Sequence, residues 1–147
     1  MKGRNAVQHV KVLFDIEQED GSIEIESVWA FPTANGYRID NIPFYAKGIA
    51  CNDEVIAEPA PDGFLHFVEL RSSAGHNTIR LWFADESRVQ SVRDDLRKMG
   101  CPSELDLSRL VAVDVPPSVQ YSRVREYLNS QEAAGIFEYE EACLWQS

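Results

Sequence analysis

Long apolar runs are missing from this chain of 147 residues. No stretch approaches the roughly 20 apolar residues that a helix needs to cross a bilayer. The basic residues Lys2 and Arg4 are not followed by the apolar segment of a signal peptide. Cysteine is scarce, and Cys51, Cys101 and Cys143 stand far apart and are odd in number. The sequence therefore predicts a cytoplasmic protein with reduced thiols and no membrane partner.

Positive charge is also scarce, because 14 Lys and Arg face 24 Asp and Glu, for a net charge of −10. Both halves are acidic, with −6 over residues 1–75 and −4 over residues 76–147. A chain of this kind lacks the basic patch that duplex binding requires, so we predict no nucleic-acid partner. Its field attracts basic partners. Two interpretations of the acidic surface follow, which are solubility alone and recognition of a basic protein.

The usual catalytic motifs are absent as well. The sequence has no Gly-x-Ser-x-Gly motif and no glycine-rich phosphate loop. It has no Cys-x-x-Cys or His-x-x-x-His spacing, so we predict no metal and no cofactor. Cys101 follows the expected C-terminal end of a helix, where the dipole disfavours a thiolate nucleophile. No catalytic residue is therefore predicted, and the chain is interpreted as a non-enzyme.

What is present in the N-terminal half is an alternation of apolar and polar residues, the period of a strand with one buried face. Asn35-Gly36 predicts a tight hairpin, because both residues accept a positive φ. The predicted strands cover residues 10–17, 23–31, 37–40, 49–51, 55–57 and 64–70. Short strands with turns at close intervals favour a small β-barrel or a strongly bent antiparallel sheet.

The pattern changes at the turn residues 72–75. We therefore divide the chain into a β-rich half, residues 1–74, and a second half, residues 75–147, which together can form one compact domain. The second half contains strand patterns over residues 78–83, 103–107, 110–115 and 136–144. Two helical patterns carry apolar stripes, Val89, Val92, Leu96 and Met99 in the first and Tyr121, Val124 and Leu128 in the second. The order βαββαβ is typical of a ferredoxin-like half, so the predicted fold class is α+β.

His76 is the main candidate for chemistry. It lies at the predicted boundary, where two halves would form a cleft, and histidine exchanges protons near neutral pH. Asn41 and Arg80 would line the same pocket. This arrangement supports the alternative hypothesis of a small-molecule-binding protein or an enzyme with a pocket between the halves. The competing interpretation is a structural histidine that holds a turn.

Two groups of carboxylates are candidates for contact with a partner. The first group occupies alternate positions on the first two strands: Asp15, Glu17, Glu24 and Glu26. The second group occupies the last strand: Glu138, Glu140 and Glu141. We expect the first four to share one face, where like charges cost stability and a cationic partner would relieve that cost. The alternative is an ordinary solvated face.

Phe44 and Tyr45 are the candidate aromatic anchors. They follow Pro43, which predicts a corner or a sheet edge. An exposed ring at such a corner can anchor a partner. The alternative places both rings in the core with the other aromatic residues of this half: Trp29, Phe31, Tyr37, Phe64 and Phe67.

Several of these residues form a combined pattern with a familiar order and spacing. Its parts are Trp29, Asp-Asn-Ile-Pro-Phe at 40–44, Asn-Asp-Glu-Val at 52–55, Gly-His-Asn-Thr-Ile-Arg at 75–80, Val-Ala-Val-Asp-Val-Pro at 111–116, and Gly-Ile-Phe-Glu-Tyr-Glu at 135–140. Over residues 8–144 the chain resembles the bacterial family called domain of unknown function 4265 (DUF4265). The resemblance implies recurrent positions at Trp29, Asn41, Pro43, Phe44, His76, Thr78 and Arg80. One departure is Asn52, where the resemblance implies a glycine.

The resemblance implies no enzyme, because the family is defined without an activity or a catalytic set. Similar small acidic proteins often occur beside bacterial toxins, which favours an immunity (antitoxin) role. We therefore expect a non-catalytic binding protein that neutralises a basic toxin domain. Charge would speed the encounter, and a ring such as Phe44 or Tyr45, buried in the complex, would slow dissociation.

Overall fold

The protein is described by a computed structural model covering residues 8–146, so Lys2 and Arg4 lie outside the described residues. Two β-sheets, a closed barrel of five strands and a four-stranded sheet, make up its framework. The barrel contains β1 (Val10–Glu17), β2 (Ile23–Pro32), β3 (Tyr37–Ile39), β4 (Glu54–Pro59) and β5 (Leu65–Ser72). The second half contains β6 (Asn77–Phe83), α1 (Val89–Lys98), β7 (Ser103–Asp106), β8 (Leu110–Val115), α2 (Tyr121–Ala133) and β9 (Phe137–Cys143), and a 3-10 helix, Glu86–Arg88, precedes α1. The predicted α+β class is confirmed.

The barrel strands follow one another as a meander. Each of the pairs from β1–β2 to β4–β5 is antiparallel, so the first and fifth strands run in the same direction and the barrel closes through a parallel pair. That pair joins Val12 to Leu65 and Leu13 to His66. Small and branched side chains fill the interior of this narrow barrel. They include Val12, Val28, Ala30, Ile39 and Val55.

The expectation of an aromatic barrel core is wrong for Trp29 and Phe64, which are exposed. Because β2 alternates and its Val28 and Ala30 point inward, Trp29 points outward. The imidazole of His9 stacks on Trp29 with ring centroids 4.9 Å apart. The strand expected over residues 49–51 is also absent from the structure, since that segment has no strand partner there.

The second half has the strand order β7-β8-β6-β9 with antiparallel neighbours. This order and the two connecting helices make the ferredoxin-like arrangement that the sequence predicted. Alternate residues of β6, namely Ile79, Leu81 and Phe83, belong to the core formed with the helices. The carboxylate of Asp85 accepts the Ser87 N–H at 2.9 Å and so caps the helical segment. None of the described helices combines the length and the apolarity that a membrane crossing requires.

Residues 40–53 link β3 to β4 and contact the second sheet; we call them the junction segment. The Thr78 hydroxyl donates to the carbonyl of Ile49 at 3.4 Å, and the Gly48 N–H donates to the carbonyl of Ala142 at 3.1 Å. Asn52 has a φ of 69°, a left-handed conformation that asparagine tolerates better than most residues. Asparagine can therefore form this turn in place of the glycine that the resemblance implies.

Candidate partner-binding surface

The junction segment turns at Phe44–Ala46, and a carboxylate of the barrel holds this turn. Glu26 accepts the N–H of Phe44 at 2.6 Å, that of Tyr45 at 3.0 Å and that of Ala46 at 2.8 Å. Strand β2 carries Glu26 on the same side as Phe14, its cross-strand partner. Three hydrogen bonds from consecutive amides to one charged group fix the backbone of the turn.

Arg80 holds the same turn from the second sheet. Its side chain is on the face of β6 opposite the helices, and the residue is only 2% exposed. The guanidinium donates to the carbonyl of Phe44 and, at 3.2 Å, to that of Ala46. Burial lowers the pKa of Arg80, and the charges of Glu140 and Glu26 oppose that shift. Arginine nevertheless stays protonated in proteins, so the turn lies between a carboxylate and a cation.

Glu140 is the ionic partner of Arg80 on the neighbouring strand. The two residues pair across β6 and β9, and the Glu140 carboxylate lies 3.2 Å from the Nε of Arg80. That N–H makes no well-aligned hydrogen bond with the described residues. Because the Glu140 side chain is 39% exposed, we interpret this contact as charge pairing and assign the positioning of the turn to the two carbonyl bonds.

The turn presents Tyr45 to solvent. The residue is 41% exposed, and its hydroxyl donates to the Asp106 carboxylate at 2.8 Å. Partial burial, this hydrogen bond and the nearby charges of Asp106, Glu26 and Glu24 raise the pKa of Tyr45 to about 12. The phenol is therefore neutral at physiological pH, and the ring is fixed at both its backbone and its hydroxyl.

Carboxylates and a second aromatic side chain extend from Tyr45 across the sheet. Asp106 pairs with Leu110, Leu110 with Trp82, and Trp82 with Glu138, so these residues form one row on the face that carries Arg80. Trp82 and Glu138 are exposed. We define the acidic–aromatic surface as Tyr45, Trp82, Glu24, Asp106 and Glu138. Among residues 8–146, neither Glu24 nor Glu138 has an ion pair or a side-chain hydrogen bond.

The four carboxylates of the β1–β2 hairpin do not share one face, and that expectation is wrong. The register places Asp15 opposite Ile25 and Glu17 opposite Ile23, whereas Glu26 lies opposite Phe14 and Glu24 opposite Ile16. Residues directly opposite in an antiparallel pair project to the same side. The turn over residues 18–22 thus sets a register in which Asp15 and Glu17 lie on the outer face of the hairpin. Glu24 and Glu26 lie on the opposite face, which faces the junction segment.

The carboxylates of β9 are also dispersed. Glu141 accepts hydrogen bonds from the Tyr121 hydroxyl and, at 2.8 and 3.0 Å, from Arg125. Glu140 is beside Arg80, and Glu138 is open to solvent. Alternation along the strand separates Glu141 from Glu138 and Glu140, which share the face that carries Arg80. On that face Glu140 pairs with Arg80, so the three acids do not act as one patch.

The three residues of the pocket predicted around His76 each have partners of their own. The Nδ1 atom of His76 lies 2.8 Å from the Asp114 carboxylate, and Nε2 lies 3.4 Å from the side-chain nitrogen of Asn52. The His76 side chain is 12% exposed. Asn41 accepts a backbone N–H of β2, and Arg80 holds the turn described above. Five of the larger clefts on the described residues, of about 290–440 Å³, are lined by other residues than His76, Asn41 and Arg80.

Comparison with known protein families shows which family the chain belongs to. The family model described as "Domain of unknown function (DUF4265)" matches residues 26–139. The chain belongs to the DUF4265 family. The matched range contains the turn at Phe44–Ala46 and most of the acidic–aromatic surface. No functionally curated protein matches this DUF4265 chain.

A solved structure shares the fold. It is described as a novel crystal structure of a hypothetical protein from Neisseria gonorrhoeae, and it superposes with a TM-score of 0.80. The alignment covers 97% of this DUF4265 chain and 100% of that chain at 24% sequence identity. Identity at this level shows the fold alone.

Sequence reasoning missed Asp106, Trp82 and the buried Asp53. Asp53 is fully buried and accepts the N–H of Ala50 at 2.9 Å and that of Ala74 at 3.1 Å. Burial raises its pKa, and these N–H bonds oppose the shift. A signal for Trp82 was available, because its neighbours in β6 alternate toward the helices and leave position 82 on the opposite face. Asp106 had none, since its contact spans 61 residues.

The internal pairing of Glu141 predicts a difference in acid stability between the DUF4265 protein and its Glu141→Gln variant. Burial alone would raise the pKa of Glu141, but the bonds from Tyr121 and Arg125 outweigh it and lower the pKa. The native state therefore binds this proton less readily than the unfolded state, and the stabilisation is lost as pH falls below about 4.5. In urea unfolding between pH 6 and pH 3 we expect a shallower loss of stability for the variant.

The matched control for this prediction is Glu138→Gln, on the same strand. Glu138 has no ion pair with residues 8–146, so its variant should follow the wild-type pH dependence. Equal slopes for wild type and Glu141→Gln would contradict the assigned role of Glu141.

Proposed function

We propose that this DUF4265 protein is a non-catalytic cytoplasmic immunity protein that neutralises a basic toxin domain by direct binding. The observation that supports the proposal is Tyr45, an exposed ring held at its backbone and its hydroxyl and surrounded by carboxylates. Tyrosine is enriched among the residues that dominate binding energy. A ring that is already ordered loses little conformational freedom on binding, so more of the contact energy appears as affinity.

The charge around this surface supports a basic partner. None of the 14 Lys and Arg lies between Val12 and Tyr37, whereas this stretch contains six Asp and Glu. The acidic hairpin therefore adds its field to that of Glu24, Asp106 and Glu138. Such a field accelerates the encounter with a cationic protein and weakens with salt, because the Debye length is only about 8 Å at physiological ionic strength.

The test begins with the partner. The tagged protein is used to capture binding proteins from the source bacterium, and we expect a basic protein whose retention falls as salt is raised. Expressed alone, that protein should stop growth, and co-expression of the DUF4265 protein should restore it. Capture of no basic protein, or a captured protein whose toxicity is not relieved, would overturn the proposal.

With the partner in hand, Tyr45→Ala should weaken binding by about 30-fold or more, as removal of a central anchor costs about 2 kcal/mol or more. Isothermal titration calorimetry measures the change. The control is Phe64→Ala, which removes an aromatic side chain that is 51% exposed in the turn between β4 and β5. We expect that control to stay within about threefold of wild type. Equal losses of partner affinity in Tyr45→Ala and Phe64→Ala would mean that the partner contact is not centred on Tyr45.

A further inference from the structure

The parallel β1–β5 pairing that closes the barrel is short. Each of these strands has eight residues, yet they pair only at Val12–Leu65 and Leu13–His66. Beyond that point Asp15–Glu17 pairs with β2 on one edge and has no strand on the other edge among the described residues. An open edge of this kind offers backbone N–H and C=O groups to an additional strand.

A groove of about 340 Å³ runs along this open edge. Barrel and junction segment line it together: Phe14, Asp15, Ile16, Glu17, Tyr45, Ala46, Lys47, Ile49 and Phe67. Phe14 and Phe67 stack with ring centroids 4.7 Å apart and provide an aromatic wall. The groove also reaches Tyr45, so it adjoins the acidic–aromatic surface.

The two sides of β1 at this edge differ in chemistry. Phe14 and Ile16 belong to the side that packs with the barrel core, whereas Asp15 and Glu17 project to the outer side. A strand added here would place alternate side chains on these two sides. Apolar side chains would fit the groove, and basic ones would lie beside the two carboxylates.

His66 is the titratable group that already neighbours these carboxylates. Its Nδ1 lies 3.5 Å from Asp15, and its Nε2 lies 2.7 Å from Asp62. Glu17 has no ion pair among residues 8–146. The outer side therefore keeps at least one uncompensated carboxylate for a basic side chain.

We propose that the partner binds by adding an extended segment, with alternating apolar and basic residues, to β1 at Asp15–Glu17. This inference rests on the proposed function and specifies how the same partner contacts the groove beside Tyr45. Main-chain hydrogen bonds supply affinity in this mode, and the two sides of the added strand supply sequence selectivity.

The first test uses a defined probe, the capped peptide acetyl-Lys-Ile-Lys-Ile-Lys-amide. In an NMR titration we expect shifts and slowed amide exchange at residues 15–17. The same peptide with all five residues N-methylated keeps its charge but loses the N–H donors of both strand edges, so it should bind at least about 10-fold more weakly. Equal binding of both peptides, or shifts confined to other carboxylates, would overturn strand addition and leave charge attraction only.

The second test blocks the groove. Ile16→Arg places a long cationic side chain in it, and we expect the peptide affinity to fall at least about 10-fold. The control Ser130→Arg adds the same charge on an exposed position of α2, outside the groove, and should stay within about threefold. Circular dichroism and urea unfolding confirm that each variant is folded; the N-methylated peptide provides a measurement on the unmodified protein.

The natural partner separates this inference from the proposed function. Partner binding that is lost in Tyr45→Ala but unchanged in a folded Ile16→Arg variant, with no amide protection at residues 15–17, would overturn strand addition and leave the immunity function intact. A captured basic protein that is not toxic would overturn the function even if the peptide binds as expected.

Discussion

Replacing Arg80 by methionine should lower the free energy of unfolding by about 3 kcal/mol. The substitution removes the charged donors to the carbonyls of Phe44 and Ala46 in a site where Arg80 is 2% exposed. Leaving a buried carbonyl without a partner costs about 1–3 kcal/mol. Glu140 adds little to this loss, because its side chain is 39% exposed and can turn to water. Urea unfolding monitored by fluorescence measures the change.

The control for this prediction is Arg97→Met, which removes an arginine from the exposed pair with Asp94 on α1. An exposed pair contributes about 0–1 kcal/mol, so this variant should be close to wild type. If Arg80→Met also stayed within about 0.5 kcal/mol of wild type, the turn would not depend on the second sheet.

Replacing Glu26 by glutamine should make the turn at residues 44–46 more mobile without removing the Tyr45 side chain. Glutamine offers one acceptor oxygen where the carboxylate offers two, and its amide nitrogen would face the backbone N–H groups of residues 44–46. We expect a loss of about 2–3 kcal/mol in stability, in line with the loss of charge-assisted bonds. Amide hydrogen exchange at residues 44–46 should accelerate, and partner affinity should fall about 10-fold, because the ring must then be ordered on binding.

Glu24→Gln is the matched control for this second prediction. Glu24 projects to the same side of β2 two residues earlier and has no side-chain hydrogen bond with residues 8–146. Its variant should keep wild-type exchange at the turn and stability within about 0.5 kcal/mol. Unchanged amide exchange at residues 44–46 in Glu26→Gln would contradict the role of Glu26 in fixing the turn.

Much of the fold could be predicted from the sequence because local patterns specify it. The two-residue alternation in residues 10–17 and the helical stripe of Val89, Val92 and Leu96 both match the observed elements. The order of strands and helices after Asn77 then determines the ferredoxin-like arrangement. Elements that follow from periodicity and turn chemistry need no knowledge of distant contacts.

The candidate site could be predicted only in its components. Pro43 identifies Phe44 and Tyr45 as candidate anchors, but the sequence does not show that Glu26, 18 and 19 residues away, accepts their backbone N–H groups. The prediction that the four hairpin acids share one face is wrong because the strand register depends on the turn over residues 18–22. A register shift by one residue moves every side chain of a strand to the opposite face. Long-range contacts and register are therefore what the pattern leaves open.

The most direct measurement places a photo-crosslinking phenylalanine derivative at position 45, and in a second strain at position 64, in cells of the source organism. We predict that position 45 crosslinks to a basic protein that stops growth when expressed alone, and that position 64 does not. Crosslinking of such a toxin through position 64 and not through position 45 would contradict a binding surface centred on Tyr45.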